Sequence, residues 1–136
     1  MAVGTENIKA TKSETPFMSV FVKGIPYGKP KLTGDTDAAK RWTDVVVRRT
    51  TGLPKVKEAC AMNVTFLLPA DRFPSNFQYG NDLDNLLKRF FDALKKTIFS
   101  EAPGEDSCVV VLHAMKTQVP QGKNAGAALE ILPISV

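Results

Sequence analysis

Between residues 58 and 116 the hydrophobic period changes twice, and that alternation dictates most of what the chain can become. Cys60, Met62, Val64, Phe66 and Leu68 recur at every second position with Asn63 and Thr65 between them, the pattern of a strand over 58–69 with one face in a core. Leu83, Leu86, Leu87, Phe90, Phe91, Leu94 and Ile98 then make a broad helical stripe. Residues 107–116, SCVVVLHAMK, are apolar at both alternating positions, which predicts a strand buried on both faces. His113, the sole histidine, lies inside that run and reads as a packed residue.

The flanks extend the pattern. FMSVFVKG (17–24) is short and β-branched and predicts a first strand. The Pro/Gly-dense 25–36 is a loop, and 37–50 is a helix with Asp37 as its N-cap and Ala38, Trp42, Val45 and Val46 on one face. Residues 117–126 turn the chain into a last strand over 127–134. The order is β-α-β-α-β-β: an α+β fold, one small mixed sheet with two helices, closed by a hairpin. In a chain of 136 residues this is one domain, 16–136, preceded by a polar, aperiodic and disordered tail, 1–15.

Several classes are excluded at this level. No apolar run approaches a membrane span, and the N-terminus lacks the apolar core of a secretory signal, so a cytoplasmic protein is expected. Cys60 and Cys108 are far apart, without CxxC spacing, and read as buried free thiols rather than a zinc site. Residues 1–80 hold 12 Lys/Arg against 7 Asp/Glu, a net +5, whereas 81–136 hold 6 against 7. A basic front half suits a polyanionic partner as well as plain solubility.

Against that basic background, Asp82 and Asp84 crowd the head of the second helix. One aspartate there is explained as an N-cap, which contributes about 0.5–2 kcal/mol. Two carboxylates about 4 Å apart repel by about 4 kcal/mol at an effective dielectric near 20. Taken alone, the pair is still accounted for most simply by capping. Asp106, beside Glu105, opens the following strand and is expected at the mouth of the sheet near the helix N-terminus. Three carboxylates from two elements are suitable oxygen donors for Mg²⁺ or Mn²⁺. Lys88 lies one turn beyond Asp84, placed either for an i,i+4 ion pair or to neutralise a phosphate, and Asp92 is expected to anchor Lys88.

The stretches DLDNLLKRFFDAL (82–94) and EDSCVVVLHAMK (105–116) resemble the RusA family of Holliday-junction resolvases. Asp82, Asp84, Asn85, Lys88, Asp92, Ala93, Leu94, Asp106 and Lys116 fall in register with its signature. The chain departs from the family pattern in three places. SNFQYGN stands where an arginine run is common, Glu105-Asp106 replaces paired aspartates, and the loop before them is longer.

The resemblance implies an Mg²⁺-dependent endodeoxyribonuclease, with Mn²⁺ as a substitute, that works as a homodimer on four-way DNA junctions in recombination and repair. It implies Asp82, Asp84 and Asp106 as catalytic metal ligands and Lys88 as the catalytic lysine. GIPYGKPK (24–31) is similar to the family's Gly/Pro loop, which makes Lys29 and Lys31, with Lys116, candidate DNA contacts. Lys40, Arg41, Arg48 and Arg49 are further candidates for backbone contacts. Phe73, Phe77 and Tyr79 are the exposed aromatic candidates, as a loop staple or a wedge in the junction. A nuclease for flaps or other branched DNA, or a non-catalytic DNA-binding protein of the same fold, is the alternative.

Overall fold

A computed structural model describes residues 17–28, 36–70 and 81–134. The expected tail, Lys29, Lys31 and the three loop aromatics lie outside them. The elements are β1 (Met18–Lys23), α1 (Thr36–Thr50), β2 (Cys60–Pro69), α2 (Leu83–Leu94), β3 (Val109–Val119) and β4 (Gly126–Pro133), with a short 3-10 turn at Glu105–Cys108 ahead of β3. Asp37 falls in the first turn of α1 rather than at its cap.

The four strands form one mixed sheet in the order β1-β4-β2-β3. β4 pairs antiparallel with both β1 and β2, whereas β2 and β3 are parallel. The expected closing hairpin is therefore absent: the chain leaves β3, passes β2 and inserts β4 between β1 and β2. β4 is apolar enough for that central place, with Ala127, Leu129, Ile131 and Leu132 all buried.

β3 is the sheet's edge, which overturns the expectation of a strand buried on both faces. Val110, Leu112 and Met115 are 59%, 42% and 56% exposed. His113 is exposed as well, not packed. An apolar alternation on both sides of a strand does not by itself place the strand inside the sheet.

Both helices pack on one face of the sheet. The alternation in β2 puts Met62, Val64, Phe66 and Leu68 into a single core with Trp42 and Val46 of α1 and Leu86, Phe90 and Leu94 of α2. Phe90 is its centre, stacked on Trp42 at 6.3 Å between centroids and edge-on to Phe66 at 5.4 Å. α2 ends at Leu94 and successive turns carry the chain to Ser100, so Ile98 is buried from a turn rather than from the helix. On the opposite face Ala61 and Leu132 form a small cluster with Val111 and Ile134, and Asn63 donates to Glu130 at 2.9 Å. Among the described residues no helix is long and apolar enough to cross a membrane.

Candidate functional site

Two parallel neighbouring strands joined by a helix force that helix to run back against them. α2 therefore starts at the end of the sheet where β2 and β3 finish, and ends where β3 begins. Two contacts mark its ends. Lys116, late in β3, donates from Nζ to the carbonyl oxygen of Asn81 at 2.7 Å. Asp106, just before β3, has its Oδ1 4.0 Å from Nζ of Lys95, immediately after α2.

Asp82 occupies the N-cap position with extended backbone (φ −64°, ψ 140°), and its carbonyl accepts the N–H of Leu86 at 3.1 Å. Its carboxylate makes no capping hydrogen bond. Asp84, in the first turn, accepts the N–H of Asn85 on Oδ1 at 2.9 Å. Both side chains are exposed. Capping, the simpler explanation from the sequence, therefore does not account for the Asp82 carboxylate.

The loop after β1 closes on the same place. A Cβ on Gly28 would stand 3.0 Å from Cβ of Asn81 and 3.4 Å from Cβ of Asn85. A larger residue there would have to push Asn81 or the loop aside by a few tenths of an ångström, so the loop after β1 packs closely on the head of α2. This loop leads directly to Lys29 and Lys31.

Lys88 is exposed one turn beyond Asp84, and no ion pair joins the two among the described residues. Asp92 pairs with Lys95 at 3.5 Å rather than anchoring Lys88. The ammonium of Lys95 thus lies between Asp92 and Asp106, which places the Asp106 turn beside the end of α2. That turn starts from Gly104 in the left-handed region (φ 74°), followed by Glu105 at φ 54°, an uncommon conformation for a non-glycine residue.

The expected convergence is not present within one chain. Asp82 and Asp92 are ten residues apart, so about 15 Å of helix separates the head of α2 from the level of Lys95 and Asp106. Among the described residues no three His, Cys, Asp or Glu side chains gather closely enough to hold a metal. The donor chemistry suits a hard divalent cation, since all three candidates are carboxylates. Asp106 sits beside the C-terminal end of α2, not its N-terminus.

Three features were not legible in the sequence. The first is the role of Lys116 as a tie to the chain just before Asp82. The second is a groove between α1 and α2 that includes Thr43, Arg89 and Lys96 beside Lys88. The third is that Cys60 and Cys108 are neighbours where β2 and β3 begin, Cys60 pairing in register with Val109. Cys60 is buried and Cys108 half-buried, both as free thiols. Burial, then the neighbouring Cys108, pushes the Cys60 thiol up to about 12. Burial also raises Cys108, though Cys60 offsets part of that by donating to it. Neither thiol is a nucleophile at neutral pH.

Compared with protein-family models and with curated proteins, the chain matches none.

Proposed function

We propose that this protein is a metal-dependent, structure-selective endodeoxyribonuclease that cuts four-way DNA junctions. The observation that carries the reading is the Asp82 carboxylate, held at a helix N-cap yet making no capping bond, with Asp84 and Lys88 on the following turns. Capping would have been the ordinary reason for acid at that place.

Asp82, Asp84 and Asp106 would hold Mg²⁺, with Mn²⁺ as a substitute, and the ion when bound supplies Lewis acidity to the scissile phosphate. Lys88 presents an ammonium to the same phosphate and offsets its charge. Lys116 holds Asn81, and so keeps the head of α2 in place for Asp82. Lys29 and Lys31 remain candidate DNA contacts on the resemblance alone, since both lie outside the described residues.

A second copy of the chain supplies what one copy separates. β3 is an open edge with apolar side chains on both of its sides, and an edge of that kind pairs with another strand. Two-fold antiparallel pairing of β3 with itself reverses the strand. The Asp106 end of one protomer then approaches the Lys116 end of the other, where Asp82 and Asp84 stand. It also sets the acidic Glu105-Asp106 end against a basic one. Such a dimer has two sites related by a dyad, which suits the paired nicks that resolve a two-fold junction.

The test is cleavage of an end-labelled four-way junction with Mg²⁺ by the wild type and by Asp82→Asn. Metal-dependent, symmetric nicks that Asp82→Asn abolishes are expected. Cutting undiminished by the substitution would remove the site, and cuts confined to flap ends would replace junctions with flaps as the substrate. Metal-independent binding with no nicking would instead favour a DNA-binding protein without catalysis, the reading that the wide separation of Asp82 and Asp106 within one chain supports.

A further inference from the structure

We propose that the groove between α1 and α2 binds a phosphodiester of the DNA backbone, beside the strand being cut. This rests on the nuclease reading for its substrate, but its chemistry stands on the groove itself. The groove is an open depression of about 460 Å³ whose lining includes Thr43, Asn85, Lys88, Arg89, Asp92 and Lys96. Three cations face one carboxylate, and that carboxylate already pairs with Lys95 at 3.5 Å. The excess charge is positive.

Arg89 makes the groove more than a basic surface. Its guanidinium is half-buried between the helices, where Nη1 donates to Thr43 Oγ1 at 3.4 Å. Its Nε is buried and has no hydrogen-bond partner among the described residues. The other such atom, Nε1 of Trp42, does not line the groove. A guanidinium stays charged at every physiological pH, and its planar fork matches the oxygens of a phosphate. That Nε is closed off from solvent, so a phosphate is met by the cations that line the groove, with the guanidinium held beside Thr43. Nε is satisfied only if the side chain shifts as the anion binds. Asn85 and Lys88 at one end and Ala93 near the other extend the lining over about 12 Å of α2, and Lys96 continues it into the turn beyond the helix. The groove therefore runs back from the residues beside Asp84, as a backbone track leading into the site would.

Nuclear magnetic resonance tests this in EDTA, where metal binding and cutting play no part. The Nε–Hε signal of Arg89 and the amides of Asn85 and Lys96 are followed during titration with dimethyl phosphate, the smallest phosphodiester, and separately with a short DNA duplex. Both ligands are expected to move all three signals, and inorganic phosphate serves as the free-anion comparison. Lys96→Gln, an exposed substitution that leaves the fold intact, is expected to weaken duplex binding about fivefold and to lower the salt dependence by about one counterion. Arg89→Gln is expected to abolish the response to dimethyl phosphate.

A duplex that binds and shifts other residues while the groove stays still overturns the inference and leaves the nuclease reading standing. Unchanged affinity and salt dependence in both variants overturns it as well. A groove that responds to dimethyl phosphate in a protein that does not bind the duplex keeps the phosphodiester site and sinks the nuclease reading.

Discussion

Lys116 Nζ lies 2.7 Å from the carbonyl oxygen of Asn81, so the edge strand β3 holds the residue immediately before Asp82. The tie is a charge-assisted bond in a partly buried place, and it fixes the head of α2 relative to the sheet. Lys116→Met is expected to cost about 1.5–3 kcal/mol, the range for a hydrogen bond to a charged group. Urea unfolding measures that loss. Faster hydrogen exchange at the Leu86 amide, which bonds Asp82, distinguishes a loosened helix head from a general loss of stability. An unchanged Leu86 amide would show that Lys116 does not hold the site.

The separation of Asp106 from Asp82 leads to a complementation experiment. Asp82→Asn and Asp106→Asn alone are each expected to fold normally and to lose cutting by at least about 100-fold, as loss of a metal ligand does. Mixed in equal amounts, they should regain activity. Half of the dimers are then mixed, and in each one site has both native carboxylates, which leaves about a quarter of the sites intact. These dimers nick one strand without the paired second cut. A mixture as inactive as its parents would show that the three carboxylates do not come from two chains.

The open edge of β3 should govern assembly. Leu112→Glu or Met115→Lys is expected to turn a dimer into a monomer, which sedimentation velocity reads directly. Both side chains are exposed, so the folding stability of the monomer itself should change by no more than about 0.5 kcal/mol. A wild-type melting temperature that rises with protein concentration, and a variant one that does not, is the thermodynamic counterpart.

Cys60 makes alkaline pH destabilising. Its thiol is raised from 9.0 to about 12 by burial, so the folded chain keeps a proton that the unfolded chain releases. The contribution is whole below pH 9 and is lost as pH rises towards 12, by about 1.4 kcal/mol per unit where only the unfolded thiol has ionised. Cys60→Ala should show a shallower fall in stability over that window than the wild type. The same shift predicts slow alkylation of Cys60 at pH 7 in the folded state. Rapid labelling there would contradict the buried, protonated thiol.

Much of the fold was legible because its signals are local. The period of two in 60–68 and the stripe from Leu83 to Leu94 each name an element and its buried face, and Phe90, Phe66 and Trp42 meet in the core as their spacing requires. The acid at the head of α2 was equally visible. The place of β3 in the sheet was not, because its alternation looks the same in a central strand and in an exposed edge. The Lys116 tie and the Arg89 groove were hidden for a related reason: each joins residues from elements distant in sequence, where no spacing rule applies.

The sequence by itself determined which segments become helices and strands and, outside β3, which faces they bury, since those follow from the period of neighbouring residues. Only the tertiary structure decided that β4 would enter between β1 and β2, and that β3 would lie parallel to β2 at the edge. Strand order rests on pairing between segments far apart in the chain, and no local pattern encodes it. Once β2 and β3 are parallel, the helix between them must run the other way. That reversal leaves Asp82 and Asp84 at one end of α2 and Asp106 at the other.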